Sequence, residues 1–437
     1  VEIEREELLR SLERQRRVFA SSIVLTPVDS LPFCLADRDH TAFLHGLYLT
    51  DKVRDRKTAL NTAIQFAGRR AAAEDIDSIH CLLAERLGAA KASLRLLAGL
   101  QAHAATFMSI ARIGQSVMLL PEVAGGHFNS HAILERLGLR IIDMPVDTQR
   151  LCIDPEATLD LVQREQPDFL FVDRSEGLRY EDFSFLGQIE GPVKVFDASQ
   201  YLTPIIMGRY SNPFDWGFDL MLFTLHKSFP GPQKAGIASR EDDELWARLV
   251  KGLSTLVSSS HAENSYLTGL ALLRRRWLDT YAQRLLDTAV ALEEEMAQRG
   301  LAVIARDRQG REDWPATHHV WLHAPSREAA FTLYEELAEV GVLTNYRKLP
   351  YEIGYGLRLG TTFSAVAGID PSHAAEIAEI VTAVTQRGPC PALRERVAEL
   401  AREARRGAIL PTRHWAPNDE GGATATGERM GIGERPP

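Results

Sequence analysis

VFDASQYLTPIIMGRYSNPFDWGFDLMLFTLHKSFPGPQKAG, residues 195–236, contains two short apolar runs, one ending at Asp197 and the other at the pair His226-Lys227. Runs of this kind between helix-like segments predict strands of a mainly parallel sheet, buried on both faces. In such a sheet ligands bind outside the carboxyl ends of the strands. Asp197 and Lys227 are therefore expected to reach one crevice.

The same alternation extends outward on both sides. SVMLLPE, LRIIDMPV and DFLFVDRS are short apolar runs, while EDIDSIHCLLAERLGA, NSHAILERLG and ATLDLVQREQ carry helical periodicity. Together they predict an α/β large domain. A helical stretch over residues 264–299 is expected to bridge to a smaller α+β domain. That domain would hold strands at LAVIARD, HHVWLHA and YGLRLGTT, a helix through REAAFTLYEELAEVG, and helices after Pro371 and Pro391. The expected division is an N-terminal helix and arm over 1–30, the large domain over 31–290, the small domain over 291–406 and a disordered Gly- and Pro-rich tail over 407–437.

A chain of 437 residues exceeds what one core usually serves, which agrees with two domains. Its 45% hydrophobic and 25% charged residues are those of an ordinary globular protein. The net charge of −9, with basic residues scattered, argues against a nucleic-acid partner and for small molecules. Cys34, Cys81, Cys152 and Cys390 lie far apart without a CxxC pair, so neither a zinc site nor a disulfide framework is signalled. No N-terminal apolar run is long enough for a signal peptide or a membrane span, and a cytoplasmic protein is expected. His318 and His319 are adjacent in an expected strand. They should face opposite ways, and no metal site is expected there.

Lysine is scarce, with eight in the chain, so Lys227 after an apolar run is conspicuous. An amine that forms a Schiff base must be available deprotonated, which apolar surroundings promote. A carboxylate at Asp197 would keep a pyridine nitrogen protonated and make the ring an electron sink. Singly, an Asp after a strand reads as a cap or turn, and a lone His-Lys means little. The pair is the signal.

At these residues the chain resembles the fold type I pyridoxal-phosphate enzymes, and within them the serine hydroxymethyltransferase-like group, from about residue 20 to residue 385. TLHKSFPGPQK resembles the group's lysine segment, and its PGPQK ending, with HAEN at 261–264, is closer to the L-threonine transaldolases. The resemblance implies an aminotransferase-like large domain with a mainly parallel seven-stranded sheet, a smaller C-terminal α+β domain and pyridoxal 5'-phosphate on Lys227. It implies that Asp197 holds the ring nitrogen, that His127 in AGGHFNSH stacks on the ring, and that Ser175 in VDRSEG meets the cofactor near its phenolic oxygen. Thr224, His226, Gln200, Ala98 and Gly99 are the further cofactor neighbours. Arg358 in YGLRLGTT would hold the substrate carboxylate, for which a bidentate guanidinium is suited. Each has a plainer reading: His127 as a turn residue, Ser175 as a loop hydroxyl bonded to backbone, Arg358 as a structural partner of Glu352.

Three departures from the group stand out. Its phosphate loop carries Ser-Gly-Ser or Ser-Gly-Thr, whereas LLAGLQAH at 96–103 has Ala98 and Leu100 in place of the hydroxyls. Backbone N–H groups at a helix start would have to cradle the phosphate. Gln200 stands where the group has His, and cannot exchange a proton near neutral pH. In TAIQFAGRRAAAED, Ile64 stands where hydroxymethyltransferases have a Glu, and Ala71 and Ala72 where they have tyrosines.

The implied reaction is that of a threonine aldolase or transaldolase, in which a β-hydroxy-α-amino acid loses its Cα–Cβ bond through a glycyl quinonoid and a second aldehyde takes the glycyl unit. Amino acid and aldehyde would be the partners, within a homodimer of shared active sites, in natural-product biosynthesis. Three rivals stand beside it: a folate-using hydroxymethyltransferase, another lyase or decarboxylase reaction of the same carbanion, and a cofactor-binding protein with little turnover.

Overall fold

The computed structural model describes residues 5–50, 53–61 and 64–410. In chain order its main elements are α1 (Arg5–Ala20), β1 (Ile23–Val24), α2 (Arg70–Leu87), β2 (Lys91–Ser93), α3 (Gly99–Ile110) and β3 (Ser116–Leu119). Next come α4 (Ser130–Arg136), β4 (Arg140–Asp143), α5 (Pro155–Glu165), β5 (Phe169–Val172), β6 (Val193–Asp197), β7 (Leu220–Thr224) and β8 (Ala235–Ser239). The C-terminal part holds α6 (Glu244–Leu256), α7 (Ala262–Leu273), α8 (Arg275–Gln298), β9 (His319–His323) and α9 (Arg327–Val340). It ends with β10 (Val342–Leu343), β11 (Asn345–Leu349), β12 (Gly354–Gly360), α10 (Ala374–Arg387) and α11 (Pro391–Ala404). The tail expected over 407–437 lies outside the described residues from 411 onward.

Seven strands form the main sheet in the order β2-β8-β7-β6-β5-β3-β4, with β8 antiparallel to both its neighbours and the remaining pairs parallel. This is the expected mainly parallel sheet. Its strands are buried on both faces, as their unbroken apolar runs require: Phe169 and Phe171 of β5 pack on one side with α3 and α6, Leu170 and Val172 on the other. Fully buried Phe171 illustrates the scale, since truncating such a side chain to Ala costs about 3–5 kcal/mol.

A three-stranded antiparallel sheet, β9-β12-β11, forms the second layer, with Arg358 of central β12 opposite Trp321 on one side and Asn345 on the other. The N-terminal arm reaches this layer. Ile23 and Val24 pair with β10, and the Gly360 N–H donates to Leu25 O at 2.8 Å. A Cβ at Gly360 would lie 2.3 Å from Pro27 Cβ, so only glycine lets the arm come this near.

Three sequence readings are corrected. The helical stretch over 264–299 is two helices broken at Arg274, whose ψ of 53° leaves the helix while its guanidinium pairs with Asp37. LAVIARD is no strand beyond a single bridge from Val303 to Leu322. It turns away because Arg306 is drawn inward, where it pairs with Glu293 and donates to Leu178 O and Thr317 O. His318 and His319 do not point apart: their buried rings lie 4.1 Å centroid to centroid, because β9 begins only at His319. Among the described residues no third His, Cys, Asp or Glu donor gathers with them.

Candidate active site

Register places the chemistry at the carboxyl edge of the main sheet. Asp197, the last residue of β6, lies opposite Leu222 of β7, and Lys227 follows three residues after β7 ends. Helix α3 enters from the side. Its first residue is Gly99, and Ala98 before it is extended with no side-chain cap. Hence N–H groups of the first turn have no side-chain partner there, and a helix N-terminus of this kind attracts anions.

These elements enclose a cleft of about 270 Å³. Its walls hold Ala98, Gly99, His127, Ser175, Asp197, Gln200, Thr224, His226 and Lys227, nine of the ten residues singled out in the sequence. Arg358, the tenth, does not line this cleft: it is buried and meets Glu176, the residue after Ser175 in the wall.

Asp197 belongs to a closed polar chain. Its Oδ2 accepts from His103 Nε2 at 2.6 Å and its Oδ1 from the Ser199 N–H at 2.7 Å. His103 Nδ1 faces Ser130 Oγ at 3.3 Å, and that hydroxyl donates to Asp173. Burial alone would raise the Asp197 carboxyl, but the His103 bond and charge, with Lys227 and Ser199, hold it below its usual value. Burial would likewise lower His103, and the carboxylates of Asp173 and Asp197 outweigh it, so the imidazolium persists above its ordinary pKa. Donor atoms of His103, Asp173 and Asp197 lie within 4.8 Å of one another. A cation among them would have to break the His103–Asp197 bond.

Lys227 is half-buried, and desolvation lowers its pKa against the opposing charges of Asp197 and Asp173. Desolvation also lowers His127, and takes His226, beside Lys227, down to about 4. Phe128 stacks on His127 at 4.8 Å and 16°. Ser199 Oγ accepts the Thr224 N–H at 3.0 Å, so this hydroxyl ties β6 to β7.

A second cluster stands behind Ser175. Arg358 meets Glu176 at 3.6 Å, not Glu352, and Arg347 of β11 meets the same carboxylate at 2.7 Å. Arg358 Nε also donates to Asn345 Oδ1 at 3.1 Å. Sequence reasoning passed over His103, Asp173, Glu176 and Arg347. His103 lies one turn beyond Gly99 on α3, a spacing that sets both on one helix face. Asp173 and Glu176 flank Ser175 on the loop leaving β5, where the sheet's ligand side was already expected.

A mainly parallel seven-stranded sheet with an Asp and a Lys at its carboxyl edge, and a smaller antiparallel layer beside it, is the fold type I architecture. No protein-family model matches the chain. Among curated proteins it is 33% identical over 317 residues to the fluorothreonine transaldolase of Streptantibioticus cattleyicolor, an alignment of 72% of this chain and 49% of that protein. It is 29% identical over 325 residues to an L-threonine:uridine-5'-aldehyde transaldolase of a Streptomyces species, covering 72% and 75% respectively. Archaeal serine hydroxymethyltransferases, such as that of Pyrobaculum calidifontis, match at 26% over 320 residues, covering 71% and 73%. The chain thus spans about half the length of the first relative and about three quarters of the others. The crystal structure of L-threonine transaldolase from Pseudomonas fluorescens in its internal aldimine state superposes with a TM-score of 0.84 over 93% of this chain and 92% of that one, at 20% identity. The chain is thus similar in sequence to transaldolases and serine hydroxymethyltransferases, and it shares the fold of L-threonine transaldolase.

Proposed function

We propose that the chain breaks the Cα–Cβ bond of a β-hydroxy-α-amino acid, most simply L-threonine, and transfers the glycyl unit to a second aldehyde, with pyridoxal 5'-phosphate on Lys227. The observation that carries this reading is that Asp197 and Lys227 line one cleft.

The cleft suits the cofactor by its unspent polar groups. Thr224 Oγ1, both amide atoms of Gln200 and His226 Nδ1 are buried without hydrogen-bond partners. A Cβ at Gly99 would lie 2.8 Å from Thr224 Cγ2, so glycine lets the α3 N-terminus approach the end of β7 where a phosphate would be cradled. When bound, the cofactor supplies an aldehyde for the amino group and a ring that stores the electron pair left at Cα.

Each residue then has a task. Lys227 would supply the amine, and desolvation lowers its pKa from the ordinary lysine value, which favours the uncharged form that a Schiff base needs. Asp197, kept ionised by His103, would hold the ring nitrogen. Ser175, Gln200, Thr224, His226 and the Ala98-Gly99 turn hold the remaining edges. His127, lowered by burial, is an uncharged imidazole at neutral pH and suits both stacking and acceptance of the β-hydroxyl proton. Arg358 fixes the carboxylate.

Ile64, 63% exposed, favours an aldehyde over folate as acceptor, because it moves no proton where hydroxymethyltransferases hold a Glu. The names of the two Streptomyces-type relatives support the same choice. Phe43, Leu60 and Ile64 are large apolar side chains exposed within one stretch of the chain, which favours their being covered by a second copy in a homodimer. No described helix is long and apolar enough to cross a membrane.

The test is acetaldehyde release from L-threonine by the purified protein, with and without an acceptor aldehyde or tetrahydrofolate. Release raised by the aldehyde, with a new β-hydroxy amino acid formed, is expected. Formation of methylenetetrahydrofolate from L-serine and tetrahydrofolate, with no effect of the acceptor aldehyde on threonine cleavage, would replace this reading with hydroxymethyl transfer.

A further inference from the structure

Glu176 has no part in the chemistry described so far, yet it is fully buried and both its oxygens lack a hydrogen-bond partner. It sits between two guanidiniums, Arg347 at 2.7 Å and Arg358 at 3.6 Å. Arg347 and Asn345 alternate onto one face of β11, and Asn345 is paired with Arg358, so the three residues share a side of the small sheet. The next cation, Arg174, is committed to Glu181.

The charges of this cluster do not balance. Within the buried group two guanidiniums against one carboxylate leave one positive charge in excess, since the further carboxylate near Glu176, that of Glu122, is exposed to solvent, whereas Arg358 is buried. Burial lowers the Arg358 pKa and raises that of Glu176, each opposed by the other's charge. One further anion makes the group neutral. A second would reverse its sign inside a buried site, which is costly.

We propose that Glu176 is a built-in anion that sets specificity: it occupies Arg347 and so leaves Arg358 free for a single carboxylate, selecting amino acids with uncharged side chains over dicarboxylic ones. This rests on the reading of Arg358 as the carboxylate receptor. Glu176 is a positioning residue, acting through the two arginines rather than on substrate.

Charge counting makes the test specific. The cluster is +1 in the wild type, +2 in Glu176→Gln, 0 in Arg347→Ala and +1 again in the double variant. Binding of glycine, L-threonine and L-aspartate to the holoenzymes would be followed by the absorbance change of the cofactor. Arg347→Ala should weaken glycine binding about tenfold, because Glu176 then competes undivided for Arg358. Glu176→Gln should raise the affinity for L-aspartate relative to glycine about tenfold, as Arg347 becomes available. The double variant should return glycine to within about threefold of wild type.

A merely structural role predicts otherwise: all ligands weakened alike, and the double variant worse than either single one. That pattern overturns the inference. Unchanged glycine binding in Arg347→Ala overturns it as well, even if Glu176→Gln fails to fold. A wild-type holoenzyme that responds to none of the three amino acids overturns the carboxylate reading of Arg358, and this inference with it.

Discussion

Two polar clusters, one in the wall of the cleft and one behind Ser175, are built oppositely. On the main-sheet side, Asp197, His103, Ser130 and Asp173 form a chain in which each member has a partner, and Asp197 accepts from both His103 and Ser199. On the small-sheet side, Glu176 has two cations near it, no hydrogen bond, and an uncompensated charge beside it. A closed network maintains a charge that must not move; an open one awaits a ligand. Loss of a member of the first should therefore damage the cofactor's chemistry, and loss of a member of the second should damage substrate binding.

The largest effect expected is that of Asp197→Asn. Removing a preorganised charge partner from the reacting group should lower kcat about 10²–10³-fold, with bound amino acid still detectable by absorbance. A loss confined to KM would erase the distinction between the clusters. Arg358→Ala should do the reverse, weakening threonine binding by about 2–5 kcal/mol while the cofactor stays on the protein. Equal loss of cofactor in this variant would place Arg358 in the wrong cluster.

His103→Gln has the smallest effect and the clearest sign. The folded pKa of His103 is raised, so its stabilisation is complete below the unfolded value of about 6.5 and is lost as pH rises through the folded value. Asp197 is lowered, so its share is present above about 3.9 and is lost only as pH falls through its folded value. Denaturant unfolding should show His103→Gln less stable by about 1–3 kcal/mol between pH 4 and 6.5, the gap narrowing at higher pH. A gap that widens with pH would mean a neutral His103.

The strands carrying Asp197 and Lys227 were legible because their apolar runs are continuous and end in polar groups, a local pattern. Arg358 was legible as a residue but not in its pairing. Glu176 lies far from β12 in sequence, and only the packing of the small sheet onto the loop after β5 brings them together. His103 was hidden by its setting in LLAGLQAH, where attention falls on the absent hydroxyls, and its bond to Asp197 spans 94 residues. LAVIARD has the composition of a strand. A buried ion pair at Arg306, a tertiary effect, overrides it.

The central claim is that Lys227, and not its buried neighbour Lys234, whose ammonium donates to Ser260 O, carries the cofactor. Borohydride reduction of the purified holoenzyme followed by peptide mass mapping tests it directly. The phosphopyridoxyl group should be found on Lys227; its recovery on Lys234, or on no lysine at all, would contradict the account.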